Sequence, residues 1–133
     1  MTSPTTLPRH ASEAVTGGIR VTALPRFEPA QSAVERGTWV FRYHIRIGNE
    51  SENAVTLQSR YWMIVDSSGH THEVRGDGVI GRTPRIEPGG YFEYESYCPL
   101  NTAWGTMEGS YTFSRATPGD TFEATVARFY LVS

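Results

Sequence analysis

The sequence predicts an all-β fold, an immunoglobulin-like or fibronectin type III-like two-sheet antiparallel sandwich of about seven strands. Three observations predict it. Apolar residues recur with a period of two in segment after segment, no segment carries a sustained helical period, and Gly, Pro, Asn and Asp punctuate the chain at the spacing usual for sandwiches and barrels. A chain of 133 residues fits one domain, and folding at this size buries roughly two-thirds of the surface that the unfolded form exposes. A core is therefore available without disulfides or metals.

Residues 1–17 are rich in Thr, Ser, Pro and Ala without a sustained period, and read as a mobile leader; the sandwich is expected over 18–133. The first strand is expected at 19–23. The clearest lies at 39–47, where Trp39, Phe41, Tyr43, Ile45 and Ile47 alternate with Val40, Arg42, His44 and Arg46, giving one apolar and one largely polar face. A strand over 55–66 changes phase: Val55 and Leu57 begin the apolar positions, Trp62 and Ile64 resume them one residue out of step. A one-residue slip exchanges the faces of a strand, so a bulge is expected near 58–61 to keep both halves toward the core.

A shorter strand follows at 70–75. Next, Phe92, Tyr94, Ser96 and Cys98 alternate with Tyr91, Glu93, Glu95 and Tyr97, and then Met107, Gly109, Tyr111 and Phe113 with Glu108, Ser110 and Thr112. The last strand, 122–132, runs Phe122, Ala124, Val126 and then Phe129, Leu131, which predicts a second bulge near 127–128. Turns are expected at Asp66-Ser67-Ser68-Gly69, Pro88-Gly89-Gly90 and Pro118-Gly119-Asp120.

Composition narrows the function. The formal net charge is -2 and the twelve cations are all arginine, so no basic excess drives binding to nucleic acid. Apolar runs are short and the first eighteen residues lack a hydrophobic stretch, so neither a membrane span nor a secretory signal is expected. With a single cysteine, Cys98, a reducing cytoplasmic setting is expected.

Gly76-Asp77-Gly78-Val79-Ile80-Gly81 matches GxGxxG formally. A dinucleotide site needs those glycines to follow a strand and open a helix whose first amides hold the pyrophosphate. Here Arg82, Thr83, Pro84, Arg85 and Glu87-Pro88-Gly89-Gly90 follow, which cannot start a long helix, so a glycine-shaped connection is expected. His70 and His72 share a strand face, yet no third ligand is spaced to complete a metal site, and an exposed polar edge explains them. No GxSxG elbow or cysteine-centred signature supports nucleophilic catalysis. Glu93 and Glu95 share a face and resemble a carboxylate pair for acid/base work, but in a fibronectin-like order their strand neighbours 39–47, which makes Arg42 and Arg46 cross-strand partners on a solvated surface. His44 is expected on the same solvent face. Cys98 falls on the apolar phase, as a buried inert thiol would. No catalytic residue, cofactor or metal is therefore assigned.

If a partner surface exists, it is expected to include the connection Gly76, Asp77, Gly78, Val79, Ile80, Gly81, Arg82 and Pro84. Two adjacent branched apolar residues among glycines, with Asp77, Arg82 and Arg85 around them, suit a recognition loop on a rigid scaffold. The same two side chains would serve equally to plug the open end of the sandwich. Adjacent residues in extended chain point opposite ways, so one of Val79 and Ile80 could do each job.

At the level of whole phrases the chain resembles the ApaG family, also called CorD. The matching residues run from Phe27-Glu28-Pro29-Ala30-Gln31-Ser32 through Phe41-Arg42-Tyr43-His44-Ile45-Arg46-Ile47, Arg60, Trp62, Val74-Arg75-Gly76-Asp77-Gly78-Val79-Ile80-Gly81, Phe92-Glu93-Tyr94 and Met107-Glu108-Gly109 to Phe129 and Leu131. One departure is Ala127, where family members often carry proline. The resemblance implies a fibronectin type III-like sandwich. It also implies small stand-alone bacterial proteins with no established reaction, a genetic link to cobalt and magnesium sensitivity, and eukaryotic counterparts that look like protein-binding modules. The expectation is thus a non-catalytic, monomeric or weakly dimeric module that binds another protein. The alternative is a small-ligand or divalent-cation sensor.

Overall fold

Among the described residues, alternating side chains build nine strands, all paired antiparallel: β1 (Ser12–Thr16), β2 (Ile19–Phe27), β3 (Trp39–Asn49), β4 (Val55–Asp66), β5 (Thr71–Asp77), β6 (Arg85–Ile86), β7 (Tyr91–Leu100), β8 (Trp104–Ser114) and β9 (Thr121–Val132). The structure, a computed structural model, describes residues 6–115 and 119–133. One sheet has the order β1-β2-β3-β7 and the other β5-β4-β8-β9, with β6 beside the start of β4. The inward phases of the long strands meet between the two sheets, while β5 is exposed along nearly its whole length; the seven-strand expectation holds and two short strands are added to it.

Residues 12–16, assigned to the mobile leader from the sequence, are corrected to strand β1, with Ser12 opposite Ala23 and Thr16 opposite Ile19. Gly17 and Gly18 close this hairpin at φ 56° and 81°, a conformation L side chains rarely adopt. The inward positions of β1 are Ser12, Ala14 and Thr16, too small and polar to produce an apolar alternation. Ser12 Oγ donates to Ala127 O at 2.6 Å, Thr125 N to Thr16 Oγ1 at 3.2 Å and Tyr130 N to His10 O at 2.9 Å. These bonds fasten β1 to β9 and close that side of the sandwich. Residues 1–5 of the expected leader and Pro118 of the expected turn lie outside the described residues.

Both bulges fall where the phase changes place them. The β4–β8 register shifts between Leu57 and Ser59, making Gln58 the extra residue, so Leu57 and Trp62 are both buried. On β9, Ala127 and Arg128 together face Glu108, which keeps Val126 and Phe129 inward. At the β4–β5 turn Asp66 Oδ1 accepts bonds from Ser68 N, Ser68 Oγ and His70 N at 2.9, 2.7 and 3.0 Å, holding its carboxyl below the usual carboxylate range, chiefly through the Ser68 hydroxyl.

The centre of the core is aromatic. Trp62 lies edge-on to Tyr43, Tyr111 and Phe129 at centroid distances of 5.6, 6.0 and 5.9 Å, joining both sheets. The buried hydroxyls of Tyr94 and Tyr111 bond each other, and burial pushes both above the ordinary tyrosine range. Opposite the closed β1/β9 side, β5 and β7 are the free edges of their sheets.

Candidate functional site

The glycine-rich connection divides into parts that the sequence could not separate. Gly76 and Asp77 complete β5, and Gly78 and Val79 are buried. Val79 N donates to Arg82 O at 2.8 Å and Arg82 N to Val79 O at 2.9 Å, so Ile80 and Gly81 form a two-residue turn with φ of 44° and 75°. Positive φ at both centres is the type I′ pattern, for which Asn-Gly is the favoured pair. Val79 is 0% exposed within the core, whereas Ile80 is 55% exposed at the tip. A β-branched residue in the left-handed region is strained by about 1–2 kcal/mol. The turn therefore holds an apolar side chain in solvent at a cost that asparagine would avoid. Ile80→Asn is expected to stabilise the domain by about 1 kcal/mol, read from urea unfolding midpoints; a lower midpoint would show that Ile80 packs in its strained position.

The GxGxxG stretch is followed by the strand β6, not by a helix. Gly78 N is spent on Gln58 O at 2.8 Å and Val79 N on Arg82 O, so these amides do not converge on an anion. A Cβ on Gly78 would lie 2.3 Å from Arg82 O, which explains that glycine by the turn alone.

On the outer face of the first sheet β3 and β7 pair as the sequence reading requires, with His44 opposite Glu95 and Arg46 opposite Glu93. Glu95 faces Arg42 and His44 at 3.3 Å each; Glu93 faces His44 at 3.3 Å and Arg46 at 3.6 Å. Arg42 continues the ladder to Glu28 at 3.1 Å. Exposed pairs of this kind contribute about 0–1 kcal/mol each, and their carboxylates are occupied by cations, as in a solvated sheet face. His70 precedes β5 and bonds Ser68 Oγ through Nδ1 at 3.0 Å, while His72 faces the gap between the sheets. Among the described residues, no three His, Cys, Asp or Glu side chains cluster at metal-binding range.

Cys98 is buried, and that burial pushes its thiol up to about 12. The thiolate fraction at pH 8 is then about one in ten thousand. Native-state alkylation at pH 8 is expected to be roughly three orders of magnitude slower than for the urea-unfolded chain; comparable rates would contradict the burial.

Between the free edges of β5 and β7 lies a cleft of about 550 Å³, which the sequence reading missed. Trp62, Ile64, Val74, Leu100 and Met107 line it, with Arg60 on the same inward phase of β4. Arg60 Nη1 donates to Asp77 O and Gly78 O, both at 3.0 Å, and its guanidinium lies over Gly76. An arginine on an apolar phase was the signal available, and the bulge at Gln58 obscured it by shifting that phase.

Fold and site together define a fibronectin type III-like β-sandwich that presents a strained apolar turn and an open inter-sheet cleft. The ApaG domain model matches residues 29–115, and the chain belongs to the ApaG family. It is 47% identical to the Protein ApaG of Anaeromyxobacter dehalogenans strain 2CP-C over 91% of this chain and 94% of that one. It is 45% identical to the Protein ApaG of Methylobacterium sp. strain 4-46 over 90% and 91%. A crystal structure of an ApaA protein from Bordetella pertussis superposes with a TM-score of 0.82 at 40% identity, covering 86% of this chain and 92% of that one.

Proposed function

We propose that this domain is a non-catalytic, cytoplasmic protein-recognition module, monomeric or weakly dimeric, that engages its partner through the exposed turn at Ile80. The observation that carries the reading is the division of labour between neighbours. Val79 anchors the connection in the core, while Ile80 is held outward in a backbone conformation that its own side chain disfavours. Gly81, Arg82 and Thr83 are exposed beside it, so the apolar tip has a polar surround, as recognition surfaces do. No catalytic role is assigned to any residue.

The test is capture from native cytoplasm on the folded domain, comparing wild type with Ile80→Asp. The variant is expected to melt no lower than wild type, since aspartate tolerates the left-handed backbone at this position, and to lose specific partners. Retention of every partner at wild-type recovery would remove Ile80 from the interface.

A second reading, a sensor of a small ligand or divalent cation linked to cobalt and magnesium homeostasis, draws its support from the cleft at Arg60 and favours the ligand over the cation. Saturable thermal stabilisation by a small molecule would support it, since a ligand that binds only the folded state stabilises in proportion to ln(1 + [L]/Kd). Equal melting with and without cobalt, magnesium and small organic anions would count against it.

A further inference from the structure

Arg60 stands apart from the other half-buried arginines. Arg20 is paired with Glu13 and Glu50, Arg42 with Glu28 and Glu95, and Arg115 with Asp120. Among the described residues Arg60 has no carboxylate within 4.0 Å, and its partners are the two carbonyl oxygens of Asp77 and Gly78. Those carbonyls orient the planar fork without neutralising its charge. Arg60 is half-buried, and a guanidinium that meets only carbonyl oxygens keeps its full charge for an anion. A Cβ at Gly76 would lie 2.8 Å from the central carbon and both terminal nitrogens of the guanidinium, so the glycine opposite Arg60 leaves the space it occupies.

The rest of the cleft specifies what accompanies the anion. Trp62, Ile64 and Val74 give it an apolar wall, His72, Ser96 and Asn101 add polar groups, and its volume lies within the range of small-molecule sites. Asp66 lines the cleft as well, with Oδ1 taken up by Ser68 and His70, so the cleft has an acidic group distinct from its basic one. A guanidinium fork matches the two oxygens of one carboxylate. A phosphate dianion would call for further cations or converging amides, and the amides of Gly78 and Val79 are already bonded within the chain.

We propose that the cleft between β5 and β7 binds a monocarboxylate carried on an apolar or aromatic body, with the carboxylate on Arg60 and the body against Trp62, Ile64 and Val74. This deepens the ligand reading of the cleft and is independent of the Ile80 surface. Both a free small acid and the C-terminus of a peptide ending in an aromatic residue present that chemistry.

Titration of the full chain with phenylpropionate, followed by nitrogen–proton correlation spectra, tests it. Phenylpropanamide serves as the neutral isostere, and N-acetyl-glycyl-phenylalanine with free or amidated terminus as the peptide arm. Saturable shifts are expected at the Trp62 indole and at Val74 and Leu100, with the acids binding at least about tenfold more tightly than the amides. Binding by phenylpropionate alone would assign a free acid, and binding by the free-terminus peptide would assign a peptide end. Arg60→Gln is expected to weaken binding by about tenfold or more. Because that change also releases the carbonyls of Asp77 and Gly78, Val74→Trp is the second variant. Val74 is 38% exposed on an edge strand, so tryptophan there fills the cleft without disturbing Arg60. It should abolish binding at an unchanged melting temperature. Ile80→Asp should bind as wild type does, so failure at the cleft and failure at the turn are read separately. Equal affinity for acid and amide, shifts that persist in Val74→Trp, or no saturation at millimolar ligand would overturn the proposal.

Discussion

Val79→Asp is expected to destabilise the domain by about 4 kcal/mol or more, enough to unfold a marginal sandwich at room temperature. Val79 is 0% exposed and belongs to the core formed by both sheets, while its backbone is locked to Arg82 in both directions. The side chain therefore cannot swing out without breaking the turn. A carboxylate in that position either stays charged without a partner or takes up a proton, and both alternatives cost folding free energy. The sign of the pH dependence follows. Burial raises the folded-state pKa of the introduced carboxyl above its unfolded value of about 3.9, so the deficit grows as pH rises from that value toward the folded-state pKa, and below it only the cost of burying the neutral carboxyl is left. Urea unfolding at neutral and acid pH, with wild type at each pH as reference, measures both effects. A midpoint equal to wild type at neutral pH would show that Val79 does not carry the connection. Ile80→Asp, one residue along, is expected not to lower the midpoint, because Ile80 is exposed and aspartate tolerates its left-handed backbone better than isoleucine.

Trp62→Ala should have the next largest effect, about 3–5 kcal/mol. Trp62 is 3% exposed, and its ring meets Tyr43 of one sheet and Tyr111 and Phe129 of the other. Truncation removes the burial of a large ring and three edge-on aromatic contacts, and leaves a void that opens into the inter-sheet cleft. Gly109, opposite Trp62 in the ladder, provides an independent probe of the same layer. A Cβ there would lie 1.9 Å from Tyr61 O and 2.9 Å from Tyr61 C, both backbone atoms, so β4 and β8 would have to separate. Gly109→Ala is expected to cost about 3 kcal/mol or more although it adds one methyl group. Urea unfolding followed by far-ultraviolet circular dichroism measures both variants. A loss below about 1 kcal/mol in either would mean that this layer packs loosely.

The legible part of the fold was the part with strong alternation. Segment 39–47 displays five apolar residues in phase and became β3; the slips at Leu57 to Trp62 and at Val126 to Phe129 became bulges at Gln58 and at Ala127–Arg128. The pairing of Glu93 and Glu95 with Arg42 and Arg46 was legible for the same reason, because the order of strands and their phase determine which residues face each other. The illegible parts had weak or misleading periods. β1 faces inward with serine, alanine and threonine, and its place depends on bonds to β9, more than one hundred residues away in the chain. β6 is two residues long, held beside the start of β4 by its pairing with Val55 and Thr56.

By itself the sequence determined an all-β sandwich, the faces of its long strands, its two bulges and its membership of a family. Period-two burial is a local property that each strand writes into its own residues. Only the tertiary structure decided which of Val79 and Ile80 is anchored and which is presented, because that depends on a turn closed by Arg82 and on the core beneath it. Only the tertiary structure brought Arg60 and Trp62 of β4 together with Val74 of β5 and Leu100 of β7, three strands of two sheets. The physical reason is common to both. Backbone alternation follows from sterics between near neighbours, whereas a cleft and an exposed tip are made by the distances between segments that the chain places far apart.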